Sequence, residues 1–256
     1  IMATETHSPA LWMPLDILVT ADAIYGISSA RLRKLAMADG RLLWSLPWPV
    51  PQPKTAGSRA DRIHEGGRMT EAGSRLYVAD TAGIHAVNAA TGQPAWTFDW
   101  RDQHKAASDA PRFFYYSAPT AAGDRVYAQT SEWPGPHEDV FALDAASGRM
   151  LWRHQYALEN ARDGGRFSDK QPIVSGNTVH VFCHRHTRDH EHVLIGIDPS
   201  GRRTYTSIFG SRTIYDGLFG TEWFRTTGGY EGWLALSGQE FLLVGSGGFV
   251  YRVVGP

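Results

Sequence analysis

The stretch CHRHTRDHEH, Cys183 to His192, holds four of the protein's eleven histidines and its single cysteine. Imidazole and thiolate groups are ligands for Zn²⁺ or Cu²⁺, which makes His184, His186, His190 and His192 the candidate metal-binding residues. Their spacing fits no standard metal motif, and Arg185 and Arg188 put positive charge where a cation would sit. In an extended strand Cys183 and His184 point to opposite faces, so they do not chelate together. The expected state is a solvated hairpin with Arg–Asp and His–Glu contacts and no metal. Its imidazoles would titrate near neutral pH.

A second set of reactive or recognition side chains is spread along irregular segments. It comprises His64, Glu65, Arg112, Phe114, Tyr116, Trp133, His137, Arg166, Tyr215, Trp223 and Arg225. Brought together, these would make an aromatic pocket fringed by Arg and His, suited to a small anionic or aromatic ligand or to a protein segment. Asp61, Glu65, Asp102, Asp163, Asp189, Asp216 and Glu222 could supply an acid/base pair, but loops hide their spacing and no pair can be chosen. No phosphate loop, GxGxxG, GxSxG or HExxH is present. GSGGFV at 245–250 reads as a hairpin turn, since no helix pattern follows it.

These residues need elements to position them. The chain has 256 residues, 42% of them hydrophobic, with 25 basic against 26 acidic side chains and a formal net charge of -1. That length suits one large domain or two small ones, and the hydrophobic share is enough for a real core. The charge balance argues against a nucleic-acid binder. One cysteine excludes an intrachain disulfide framework. No apolar run approaches the roughly 18 residues of a membrane span. IMATETHSPALW lacks the basic and apolar regions of a signal peptide. The expectation is either a cytoplasmic chain or a part cut from a larger exported or membrane protein.

An internal repeat supplies the elements. LAMADGRLLW, AVNAATGQPAW, ALDAASGRMLW and GIDPSGRRTY each read as a strand, a tight turn closing on Gly, and a strand with an aromatic. Gly40, Gly92, Gly148 and Gly201 lie 52, 56 and 53 residues apart, and Trp44, Trp96, Trp152 and Tyr205 each follow four positions on. EAGSRLYV, AAGDRVYA, VSGNTVHV and LSGQEFLLV mark an earlier turn and strand in the unit, with TADAIYG a weaker copy. Each unit is then four short strands joined by hairpins, and the expected fold is an all-β propeller of four-stranded antiparallel blades. About five blades are expected, near 14–48, 66–100, 114–156, 169–210 and 229–256, in a single domain spanning 1–256. The last blade lacks its fourth strand. HSPALW is similar to TGQPAW, so a strand at 3–12 ending at Trp12 is one way to complete it and close the ring. The alternative is that the chain carries only the last blades of a larger propeller.

The pattern VYA…VFALDAASGRMLW resembles the PQQ-like propeller repeat, named for pyrroloquinoline-quinone enzymes. The resemblance covers nearly the whole chain. It implies a propeller fold and a docking role between blades for Trp44, Trp96 and Trp152. It leaves function open, because propellers of this kind include quinoprotein dehydrogenases, outer-membrane assembly lipoproteins and sensor domains of bacterial Ser/Thr kinases. The quinoprotein enzymes have larger rings, and many use a disulfide of adjacent cysteines. Cys183 has no partner, so PQQ is not expected, nor is any other cofactor.

Alternating strands send the short turns to one end of each blade and the long connections to the other. Irregular segments on a rigid scaffold are where function concentrates. The expected function is non-catalytic binding at the loop-rich face, with a protein segment or a small anionic or aromatic ligand as partner. The alternatives are an enzyme there, a lyase, cyclase or hydrolase working by acid/base chemistry, or a PQQ-dependent oxidoreductase.

Overall fold

The computed structural model describes residues 16–28, 31–48, 68–80, 83–99, 113–133, 137–157, 171–185, 191–209, 232–237, 240–245 and 250–253. All of its regular elements are strands, and they form five antiparallel sheets. The first sheet is β1 (Asp16–Val19), β2 (Ala23–Ile27), β3 (Arg31–Ala36) and β4 (Leu42–Pro47). The second is β5 (Arg68–Ala72), β6 (Arg75–Asp80), β7 (Gly83–Asn88) and β8 (Pro94–Phe98). The third is β9 (Phe113–Tyr116), β10 (Thr120–Ala122), β11 (Arg125–Trp133), β12 (His137–Asp144) and β13 (Met150–Ala157). The fourth is β14 (Ile173–Ser175), β15 (Thr178–Arg185), β16 (Glu191–Ile197) and β17 (Arg203–Phe209). The last has three described strands, β18 (Gly232–Ser237), β19 (Glu240–Gly245) and β20 (Val250–Val253). Apart from β9, which pairs with β11, the strands of every sheet pair in chain order. These are the blades of a β-propeller. The strand expected at 3–12 lies outside the described residues. Among the described residues no helix is long and apolar enough to cross a membrane.

The third sheet departs from the expectation of four strands per unit. β9 and β10 both pair with β11, and residues 117–119 interrupt them. Pro119 has no N–H to give the ladder. Ser117 takes up the irregularity: its N–H donates to the Gln129 carbonyl at 2.8 Å, and its Oγ accepts the Gln129 N–H at 3.0 Å.

The chain divides into two compact units, residues 1–108 with 146–149, and residues 109–145 with 150–256. In the first, β1 lies alongside β5. Ala23, Tyr25, Ile27 and Leu32 of the first sheet pack on Met69, Leu76, Val78 and Val87 of the second, with Trp48 among them. In the second unit β14 lies between β10 and β18. Tyr127, Val140 and Ala142 pack there on Val179, Val181, Ile195 and Ile197. Both cores follow from period-two patterning, and each fully buried side chain contributes roughly 1.5–3 kcal/mol.

Tryptophan on glycine is the repeated joint. A Cβ added at Gly92 would stand 2.8 Å from the Trp44 ring, at Gly148 2.6 Å from Trp96, and at Gly201 2.8 Å from Trp152. These glycines have φ of +75°, +73° and +87°, so the turn and the indole both demand them. The Trp44 indole N–H donates to the Ala89 carbonyl at 3.0 Å, and that of Trp152 to the Pro199 carbonyl at 2.8 Å. Arg125 also donates to Pro199, and Arg75 reaches the Ala146 carbonyl at 3.5 Å. Within each of the first three sheets a tyrosine leans on the same indole: Tyr25 on Trp44, Tyr77 on Trp96 and Tyr127 on Trp152, with centroids 5.9, 5.9 and 6.0 Å apart.

Candidate functional site at the loop-bearing ends of the sheets

Because neighbouring strands are antiparallel, each sheet has a short-turn end and a loop-bearing end. First-to-second and third-to-fourth strands are joined by two to five residues. Connections from each fourth strand to the next sheet, 48–67, 99–112, 158–172 and 210–231, depart from the opposite end.

At that end of the second sheet the structure builds a polar cluster from four strand termini. Asp80 closes β6 and Gly83 opens β7. Asp80 Oδ1 accepts the Gly83 N–H at 3.2 Å and lies 3.0 Å from His85 Nε2. Its Oδ2 accepts the Trp48 indole N–H at 2.9 Å. His85 Nδ1 lies 3.1 Å from Thr97 Oγ1, and the Trp48 and His85 rings meet edge to face at 4.8 Å. An ionised carboxylate only accepts, so Nε2 carries the proton toward Asp80 and Nδ1 accepts from the Thr97 hydroxyl. The side chains are 6% exposed for Asp80 and 16% for His85. A Cβ at Gly83 would fall 2.1 Å from the Phe98 carbonyl oxygen, so β7 can start this close to β8 only at glycine. A carboxylate-oriented imidazole is the usual parts list of a general base. Here both ring nitrogens are engaged and the pair ties two sheets together.

The third sheet carries a second pair, Arg153 donating to Asp139 at 2.8 Å, with Asp139 buried. Tyr116 is buried too, its ring meeting Phe141 edge-on at 6.4 Å. Among the other expected site residues, Phe114 stands opposite Glu132, Trp133 opposite Phe113, and His137 opposite Ala157 in the ladder. His184 and His192 face each other in register at the base of the hairpin. His64, Glu65, Arg112, Arg166, Tyr215, Trp223, Arg225, His186 and His190 lie outside the described residues. Among the described residues no group of three or more His, Cys, Asp or Glu could hold a metal ion.

Asp80, His85, Asp139 and Arg153 were not singled out by sequence. Alternation alone puts His85 on the face of Val87, opposite Ile84, but its partner Trp48 belongs to another sheet. A fuller signal existed for His180. Tyr25, Tyr77, Tyr127 and His180 occupy one register position, facing Leu18, Thr70, Thr120 and Ile173. The tyrosine is itself buried at this position: Tyr25 donates to Glu71 Oε1 at 2.6 Å, and burial, then that carboxylate, push its phenol far above the usual range.

His180 is 8% exposed, and burial pulls its imidazole down to about 4. His154 moves the same way, first by burial and then by the Arg203 charge. The folded chain holds His180 neutral while the unfolded chain protonates it near 6.5. Its contribution is therefore complete above pH 6.5 and is lost as pH falls toward 4, on the order of 2 kcal/mol. His180→Tyr, the residue of the other three sheets, is expected to flatten that part of the stability profile. Urea midpoints at pH 7 and 4.5 check this, and an unchanged slope would contradict it.

No curated protein sequence matches the chain. Solved structures do. Quinohemoprotein alcohol dehydrogenase ADHIIG from Pseudomonas putida HK5 superposes with a TM-score of 0.60 at 16% identity, covering 93% of this chain and 39% of that one. The quinohemoprotein alcohol dehydrogenase of Comamonas testosteroni gives 0.58 at 15%, covering 93% and 40%. The fission yeast SREBP-SCAP binding domains give 0.52 at 11%, covering 95% and 58%. The chain thus spans about two fifths of the length of the two dehydrogenases, and at these identities the likeness is one of fold. The residues 28–205, well over half of the chain and including all four glycine turns with their aromatics, match the family model described as outer membrane protein assembly factor BamB, and the chain belongs to that family of PQQ-type repeat propellers.

Proposed function

We propose that this propeller is a non-catalytic scaffold that binds an extended protein segment at the loop-bearing ends of its sheets. The observation that carries the reading is the asymmetry of connections. One end of each sheet has turns of minimal length, and the other bears every long connection between sheets. Elaborating one end of a rigid frame is how propellers present a binding surface. The family's description as an assembly factor supports binding over turnover. So does the polar chemistry at those ends, since Asp80, His85, Asp139 and Arg153 are held by one another and by the frame.

The second reading is an enzyme, and the Asp80–His85 pair is its motivation. A quinone oxidoreductase has less support, because the single cysteine cannot form the adjacent-cysteine disulfide of many such enzymes. In the binding reading the partner is a segment of alternating apolar and polar residues with aromatics near its ends, the pattern of outer-membrane strands. The test is an array of such ten-residue peptides probed with the purified chain, beside PQQ titration and dye-coupled alcohol oxidation. Binding to a subset of peptides with affinities of about 1 μM, roughly −8 kcal/mol, is the expected result. Saturable PQQ binding with dye reduction, and no peptide bound, would overturn it.

A further inference from the structure

We infer that Thr97 is a covalent acyl-acceptor site, its hydroxyl activated by His85 and Asp80 to take one acyl group per chain from an activated ester. The three side chains form a relay from the surface to the interior. Thr97 is exposed on β8, the outer strand of the second sheet, near the loop-bearing end. Its Oγ1 lies 3.1 Å from His85 Nδ1, and His85 Nε2 lies 3.0 Å from Asp80 Oδ1. Asp80 is held in turn by the Gly83 amide and the Trp48 indole, and that indole also meets the imidazole edge to face. With the carboxylate accepting from Nε2, Nδ1 keeps a lone pair for the hydroxyl. That is the tautomer a general base needs beside a hydroxyl nucleophile, with the carboxylate as positioning residue.

The frame does not demand this relay. Register makes Arg33, His85, Phe141 and Ile195 equivalent, each facing the residue after Tyr25, Tyr77, Tyr127 or His180. Their partners on the outer strands are Ser45, Thr97, Arg153 and Thr206. The position of Asp80, three residues after the tyrosine, holds Ser28, Thr130 and Cys183 in the other sheets. The repeat is thus built three more times with no imidazole at the first position and no carboxylate at the second. A largely buried acid–base pair that occurs in one copy, and ends at an exposed hydroxyl, serves more than the joint between sheets.

In the transfer, Thr97 Oγ1 attacks the acyl carbonyl carbon and its proton passes to His85 Nδ1. The imidazolium that forms lies against the Asp80 carboxylate, which stabilises its charge. The bond from the acyl carbon to the donor's oxygen or sulfur then breaks. The alcohol or thiol leaves with the proton from Nδ1, and Thr97 carries the ester. No oxidant or reductant is involved, and the only co-reactant is the thioester or aryl ester that donates the acyl group. One acylation per chain needs only the hydroxyl and its base. Repeated turnover would also require donors for the oxyanion and a placed water. The site goes beyond the peptide-binding reading and does not depend on it.

The experiment incubates the purified chain with p-nitrophenyl acetate and locates the acetyl groups by fragmentation mass spectrometry. Thr97 should be acetylated about tenfold or more faster than Thr91 and Thr204, which are exposed threonines without the relay. His85→Gln leaves Asp80 its Trp48 and Gly83 donors, and should bring Thr97 down to the rate of Thr91. Asp80→Asn should do the same, because its amide N–H donates to the imidazole and leaves Nδ1 protonated. A purely structural role for either residue would move the melting temperature and leave the ratio of Thr97 to Thr91 unchanged. Acetylation of Thr97 no faster than of Thr91 in the parent chain would overturn the inference. So would a Thr97 rate that survives His85→Gln. The comparison with Thr91 is made within one chain, so it decides the matter even where a variant fails to fold.

Discussion

Trp152→Ala is expected to lower the unfolding free energy of its unit by about 4 kcal/mol, within the usual 3–5 kcal/mol for a large aromatic removed from a packed site. The indole does three things at once. It borders the core of Tyr127, Val140, Val179, Val181 and Ile195, lies against Gly201, and donates to the Pro199 carbonyl at 2.8 Å. Arg125 still reaches Pro199 when the indole is gone, so that acceptor keeps a partner and the loss is mainly one of packing. Trp152→Phe keeps most of the ring and loses the N–H, and should cost about 1 kcal/mol more than a volume change alone. Urea unfolding followed by circular dichroism measures both. A loss below about 1 kcal/mol for Trp152→Ala would mean the two sheets are not joined through this residue.

The second large effect is expected at Asp80. Asp80→Ala leaves the Trp48 indole N–H, the Gly83 amide and His85 Nε2 without their common acceptor. The carboxylate is buried, and water does not readily replace it. At about 1–3 kcal/mol for each buried donor left unpaired, and with partial relaxation, the cost should be on the order of 4 kcal/mol. Asp80→Asn retains one accepting oxygen and should fall about midway. Urea unfolding followed by circular dichroism measures both substitutions. If Asp80→Ala left stability intact and instead abolished a measurable activity, the pair would be catalytic rather than structural.

The repeat was legible because its demands are local. A turn at φ near +70° needs glycine, and the aromatic four residues on must face the next sheet, so both show in any single copy. The pairing of Ala142 with Trp152 and of Ala86 with Trp96 follows from that spacing. What stayed hidden depends on partners in other repeats. Lys34 is an example, a buried ammonium donating to the Ala89 carbonyl at 3.0 Å and lying 5.0 Å from the Tyr25 ring centroid. Lysine at that position reads as an outward residue until the tyrosine and the next turn are placed beside it. The break at Ser117–Pro119 was hidden for a related reason, since the RFFYY run itself looks like an uninterrupted strand. Most residues expected to meet a ligand, His64 and Arg166 among them, lie on the long connections. There strand alternation gives no register, and spacing along the chain carries no information about distance.

The Gly40 turn shows the reverse. Its sequence, LAMADGRLLW, has every mark of the other copies, and nothing in it shows that among the described residues no side chain comes within 4 Å of where a Cβ at Gly40 would stand. Only the surroundings do.

The most direct test of the binding account is where a bound peptide protects the chain. Hydrogen–deuterium exchange with an array-selected peptide should slow amides at the loop-bearing ends, around 78–85, 128–140 and 181–194. The short turns at 89–92, 145–148 and 198–201 should be unchanged. Protection confined to those short turns, or to the outer strands β8, β13 and β17, would contradict it.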